Sequence, residues 1–329
     1  MPQLRMGLLP LPLIVLLAFL LVSGALSLVA NSYILTILIF SNIFAVSAAS
    51  WDLLAGYAGQ LSFGNVAFYG VGAYTVGILH CIGSPLCGSY IILGSLPSNP
   101  WLSNPIVEVM VGGLVAVLLS FVIGFAGVRL SGPYLALATF AVALVLQHLI
   151  TIYASITGGN FGLTVGPLFP DIRYTYAASL LLLVLAASFM LILVNSRYGL
   201  YFKAIRDDQT AAQAVGINPT KYKLLAFATS AFLTSVAGSF AVFAFGVVNS
   251  DVLGYNNSLL WIEMSVTGGS GTVVGAIIGS YFIQSLTELL RLSQALSLLI
   301  FSILFILVVR FSPGGLLGLL KRLFRRGVR

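Results

Sequence analysis

Residues 195–223 read NSRYGLYFKAIRDDQTAAQAVGINPTKYK, and the fold turns on them. They carry Arg197, Lys203, Arg206, Lys221 and Lys223, with Asp207 and Asp208, in a chain where only 7% of residues are charged. Such a block does not sit in hydrocarbon, so it must lie in water between two membrane spans. Its surplus of Lys and Arg places it on the cytoplasmic side. Inside it, KAIRDDQTAAQAVG is rich in helix formers and predicts one short helix. That helix stops at Gly216, a natural residue just past a helix end, and Pro219 prevents continuation. Ala211, Ala212, Ala214 and Val215 give it an apolar strip. The strip needs a partner surface: either the protein's own helices or another protein.

Working outward, the 329 residues are 59% hydrophobic, with a mean hydropathy of +1.08. A soluble domain would carry about 25% charged residues. Runs of roughly 20 apolar residues recur, each enough to cross a bilayer as a helix. They are continuous rather than alternating, which excludes a β-barrel. The expected fold is therefore an all-α polytopic transmembrane bundle of about 8–10 spans. The net charge of +7 does not point to nucleic acid. Eleven of the fifteen basic residues lie in 195–223 and 310–329, as expected beside an anionic inner leaflet.

Spans are expected at about 8–29, 33–55, 107–128, 133–153, 177–194, 224–247 and 294–310, with a broken one over 259–282. For 8–29 a retained span is preferred to a signal peptide, because a second apolar run follows at once. Asp52, an acid near a membrane span, is a functional candidate, and the preferred reading places it at the interface with Trp51 as an anchor. The segment GYAGQLSFGNVAFYGVGAYTVG, 56–77, has six glycines and three polar side chains, Gln60, Ser62 and Asn65. A tight packing seam explains the glycines alone, whereas a broken or re-entrant helix lining a polar path explains both. Residues 80–105 lack Lys and Arg and suit the outer face. Cys81 and Cys87 there are either a disulfide or two free thiols. His80 has too few neighbouring ligands for a metal, and His148 reads as a helix–helix hydrogen bonder. TGGNFGL, 157–163, falls in an outer loop or re-entrant dip.

The later half adds two features. Gly271, Gly275 and Gly279 recur every four residues and predict a helix-packing face. Glu263 is the strongest intramembrane acid, as a functional group or as a structural pair. The tail after Arg310 is basic, so it should be cytoplasmic, like the short N-terminus. That placement requires an odd number of crossings after the polar 248–257 segment. The interruption at 268–271 must then separate two elements.

Taken together, GYAGQLSFGNVAFYGVGAYT, SGPYLALATF, TGGNFGL, SRYGLYFKAIRDDQTAAQAVGIN and GGSGTVVGAIIGS occur in an order that resembles the branched-chain amino acid ABC-transporter permeases of the LivM type. The resemblance covers about residues 45–315. It implies one permease domain over 1–329, multi-pass in the cell membrane, with 195–223 as a cytoplasmic coupling loop and 311–329 as a basic cytoplasmic tail. It also implies partners: a second permease of the LivH type, two ATP-binding subunits and an external solute-binding protein. The family's coupling segment has a Glu-Ala-Ala-x-x-x-Gly pattern. Thr210, Ala211, Ala212 and Gly216 hold that spacing, with Thr in place of Glu, and Arg206, Asp207 and Asp208 flank it. Asn65 stands where the family often has His. The expected route for solute is a polar seam of Gln60, Ser62, Asn65 and Glu263. No Walker A pattern is present, so no cofactor is expected on this chain, and ATP and Mg belong to partner subunits. Urea or short amides are the alternative cargo, and an ATP-independent secondary transporter is a further reading. The chain has no paired nucleophile and base for an enzyme.

Overall fold

The computed structural model describes residues 23–24, 30–82, 104–127, 130, 132–290, 300, 303 and 314–318. Helix α1 runs Ser32–Asp52 and continues directly into a π-helical turn, Leu53–Tyr57. Then come α2 (Asn65–Cys81), α3 (Pro105–Gly127), α4 (Pro133–Ile152), the single turn α5 (Ala154–Thr157) and strand β1 (Leu163–Thr164). Helices α6 (Ile172–Asn195), α7 (Arg197–Asp207), α8 (Gln209–Ala214) and α9 (Pro219–Phe245) follow. After β2 (Val247–Val248) and a 3-10 turn (Ser250–Leu253), α10 (Tyr255–Gly268) and α11 (Val273–Leu289) complete the described bundle.

Among the described residues, five stretches are long and apolar enough to cross a bilayer: Ser32–Tyr57, Pro105–Phe125, Pro133–Ile152, Ile172–Asn195 and Pro219–Phe245. Helices α10 and α11 meet the same test only as a pair, bent by 115° at the glycines. The expected all-α polytopic bundle is therefore the fold, and its helical path is broken at 268–271. The spans expected at 8–29 and 294–310, and the tail beyond 318, lie almost wholly outside the described residues.

Local chemistry sets the boundaries. Asp171 caps α6 by accepting from Arg173 N at 2.9 Å, so that helix begins five residues before the expected 177. Asn218 accepts from Lys221 N at 3.2 Å, and Pro219 fills the first helical position. Helix α9 therefore starts at 219 rather than 224 and takes Lys221 and Lys223 out of the loop.

Two helices form the centre: 72% of the membrane window is buried for α1 and for α9, against 22–33% for α3, α4 and α6. Helix α9 packs on α1, α2 and α3, while α11 packs on α1 and α10. Small residues bring these backbones together. A Cβ at Gly238 would fall 2.1 Å from the Tyr69 carbonyl oxygen, so α2 and α9 touch backbone to backbone. Likewise a Cβ at Gly279 would fall 1.9 Å from the Met264 carbonyl oxygen, and Gly275 lies on the same α10–α11 seam. Gly271 departs from the expected packing face. It precedes α11, sits in the turn at φ +75°, and uses its N–H elsewhere.

The bundle has two distinct ends. Phe40 of α1 stacks on Phe245 of α9 with centroids 4.2 Å apart, so the start of α1 and the end of α9 share one end. There β1 and β2 pair antiparallel, Leu163 against Val248 and Thr164 against Val247. This ribbon occupies the place expected for an outer loop. Cys81 lies at the same end and is disulfide-bonded, while Cys87 is outside the described residues. The π-turn, α7 and α8 lie at the opposite, basic end.

Candidate functional site

At the basic end the expected single helix is two. Asp208 adopts an extended conformation (φ −157°, ψ 111°) and ends α7. Its carboxylate then accepts from Thr210 N at 2.7 Å and Ala211 N at 3.0 Å, which starts α8. An aspartate that can cap outcompetes its own place inside a helix. The same two N–H groups hold the Asp208 carboxyl below the usual aspartate range. Helix α8 ends just before Gly216, whose φ of +85° favours glycine at that position.

Three contacts tie this pair of helices to the bundle. Helix α7 buries Gly199, Phe202 and Ile205, one helical stripe. Ala212 of α8 is 3% exposed, and Lys223 Nζ, itself buried in α9, donates to Gln209 Oε1 at 2.8 Å. Arg206 Nη1 donates to the Gly56 carbonyl at 2.8 Å, while its Nε and Nη2 hold the Asp207 carboxylate at 3.0 and 2.9 Å. Thr210 and Ala211 face solvent, and so do two large apolar residues, Leu200 at 63% and Val215 at 76% exposed. The apolar strip is thus divided: Ala212 turns inward and Val215 outward.

Beneath Arg206 lies a junction of three segments. Gly56 belongs to the π-turn, and such turns often mark functional positions. Asp52, one turn earlier, is fully buried among the protein's own helices. Its Oδ1 accepts from Gly271 N at 2.8 Å and from Ser265 Oγ at 2.9 Å, so it clasps the turn between α10 and α11. Its Oδ2 has no partner among the described residues. A buried carboxylate is tolerated when donors surround it, and here the α10–α11 break supplies one from the backbone. Lys203 of α7 also stands over the Tyr57 ring at 5.6 Å. Two side chains from α7, Arg206 and Lys203, therefore hold the π-turn, and one from α1, Asp52, holds the α10–α11 turn.

The expected polar seam is not one cluster. After the π-turn, residues 58–64 run irregularly back into the bundle, as the broken-helix reading required. Ser62 is buried, and its carbonyl accepts from Trp51 Nε1 at 2.6 Å. Asn65 Nδ2 donates to Ser230 Oγ at 3.1 Å, and Ser230 donates to the Ser50 carbonyl at 2.7 Å. Gln60 turns back on Ala58. Glu263 stands apart on the less buried face of α10, with no hydrogen bond or ion pair among the described residues. His148 is exposed rather than packed, and His80 Nδ1 meets Glu108 Oε1 at 3.2 Å. No group of residues able to hold a metal occurs among the described residues.

Among the described residues, a bundle of apolar spans, a broken helix pair and an exposed helical appendage at one end make a polytopic helical membrane protein. The family model for the permease component of the branched-chain amino acid transport system matches residues 33–309, and the chain belongs to that family. LivM of the high-affinity branched-chain amino acid transport system of Escherichia coli is 27% identical over 85% of this chain and 68% of its own. The Salmonella typhimurium LivM is 26% identical over the same shares. A probable LivH permease of Methanocaldococcus jannaschii is 26% identical over 60% of this chain and 67% of its own. No solved structure matches.

Proposed function

We propose that this chain is the membrane-spanning permease subunit of an ATP-driven importer for branched-chain or other hydrophobic amino acids. Its partners are a second permease of the LivH type, two ATP-binding subunits that hold the ATP and Mg, and an external solute-binding protein. The basic end and both termini face the cytoplasm, by the excess of Lys and Arg there.

One observation carries the reading. Leu200 of α7 and Val215 just after α8 are exposed apolar residues, yet the two helices are fixed to the bundle through Arg206, Gln209 and Ala212. A lone permease has no use for exposed apolar residues on an anchored arm, whereas a motor subunit needs a stiff handle. Force on the handle reaches the π-turn through Arg206 and the α10–α11 turn through Asp52. The chain itself need make no bond; it must repack between two arrangements. A ligand or motor shifts such an equilibrium only by what it contacts differently in the two states.

The test is reconstitution in proteoliposomes. The four-subunit complex with its solute-binding protein should take up leucine only with ATP. Leucine uptake by this chain alone, without ATP, would overturn the proposal.

A further inference from the structure

At the ribbon end, away from the handle, a cavity of about 310 Å³ opens between α1, α2, α9 and the start of α10. Its size suits one small solute. Phe40 and Phe44 of α1 and Phe245 of α9 line one part of it. Phe40 lies 5.8 Å from Phe44 and stacks on Phe245, so these rings form a continuous apolar wall. Asn249, Asp251 and Asn257 line the other part, and Asp251 is the only charged residue in the lining. Asn249 Nδ2 donates to Asp251 Oδ2 at 3.2 Å, and Asn257 Nδ2 donates to the Asp251 carbonyl at 3.1 Å. Asp251 Oδ1 accepts no hydrogen bond among the described residues. Each amide keeps a second N–H free in this arrangement.

We propose that this cavity binds the transported solute as an α-amino acid with an apolar side chain. The side chain lies on Phe40, Phe44 and Phe245. The ammonium meets Asp251, and the carboxylate accepts from the spare amide hydrogens of Asn249 and Asn257. The proposal rests on the import reading above and adds where on this chain the solute is held. It moves that role away from Gln60, Ser62, Asn65 and Glu263, none of which lines the cavity. It also gives α1 two duties along one rigid rod: Phe40 and Phe44 at the solute, Asp52 at the junction under the handle.

Trp261 supplies a reporter, since its ring lies 6.2 Å from Phe44 and 5.2 Å from Tyr69, both in the lining. The experiment uses the four-subunit membrane complex in nanodiscs, without solute-binding protein. Radiolabelled L-leucine binding and tryptophan fluorescence are measured against unlabelled L-leucine, leucinamide, 4-methylpentanoate and urea. Leucine and leucinamide should compete, 4-methylpentanoate should be about tenfold weaker or worse, and urea should not compete. Asp251→Asn, at an exposed position where folding is not at risk, should weaken leucine about tenfold, as should Phe40→Ala. The fluorescence change should vanish with the binding.

Leucine binding that is unchanged in both variants would overturn the site. So would no leucine binding to the wild-type complex, even where that complex imports leucine with ATP; the import reading would then survive alone. Competition by urea in place of leucine would overturn both the amino-acid chemistry of the cavity and the cargo assigned to the importer.

Discussion

Replacing Gly56 by Ala adds one methyl at the meeting point of the three segments. A Cβ there falls 2.3 Å from Asp52 Oδ1 and 2.6 Å from Gly271 N. Since non-bonded heavy atoms settle at about 3.5–4.0 Å, the α10–α11 turn must retreat by roughly 1 Å. Overpacking of this kind costs about 1–3 kcal/mol. Losing the Gly271-to-Asp52 hydrogen bond, which has a carboxylate acceptor, costs about 1.5–3 kcal/mol more. These costs fall on every arrangement that keeps the junction closed. Even about 2 kcal/mol changes the balance between closed and open junctions by about 30-fold. The motor should still hydrolyse ATP, because Leu200 and Val215 are untouched. Leucine uptake and phosphate release, measured together in proteoliposomes, should therefore show far less solute moved per ATP. Size-exclusion and thermal melting of the purified complex separate this from misfolding. A Gly56→Ala complex that is assembled, stable and moves as much leucine per ATP as wild type would refute the junction's role.

Other predictions follow from the same contacts. Arg206→Glu removes the bond to Gly56 and repels Asp207, so ATP hydrolysis should persist while uptake falls; unchanged uptake would show that Arg206 transmits nothing. Asp208 has a depressed folded pKa, so its cap on α8 is fully present above the unfolded aspartate value of about 3.9 and is lost as pH falls through the lower folded value. Amide exchange in α8 should rise in that acid window in wild type, and Asp208→Asn should show no such pH dependence. Glu263→Gln should leave uptake and assembly unchanged, because Glu263 makes no hydrogen bond or ion pair among the described residues and does not line the cavity; a loss of uptake would return it to the solute route. With the basic end cytoplasmic as proposed, the ribbon end faces out, so in intact cells a membrane-impermeant maleimide should label this chain only after reduction of the Cys81 disulfide; labelling without reduction, or only after the cells are opened, would contradict that orientation.

The spans were legible because hydrocarbon imposes a single rule, about 20 apolar residues in a row. The break at Gly268–Gly271 was legible too, since glycines interrupt the apolar helical run there. Less visible were features that depend on where two distant segments meet. Asp52 reads in sequence as an interfacial acid next to Trp51, and only the approach of Gly271, 219 positions away, turns it into a buried clasp. Asp208 hides a helix boundary because its capping geometry competes with a run of good helix formers. Lys223 reads as loop charge, but Asn218 and Pro219 start α9 early enough to bury it against Gln209. Gln60, Ser62, Asn65 and Glu263 share polarity in sequence, and polarity does not say which face of a helix a residue occupies. The Phe40–Phe245 wall joins residues 205 positions apart and left no local signal.

The handle is tested most directly by a photoreactive benzophenone side chain at Val215, in the fully assembled complex in native membranes. Val215 is the most exposed apolar residue of the appendage, and among the described residues nothing covers it. Irradiation should give one main adduct, to an ATP-binding subunit, and its yield should change between ATP-bound and nucleotide-free states. An adduct with the external solute-binding protein, or none with any ATP-binding subunit, would contradict the account.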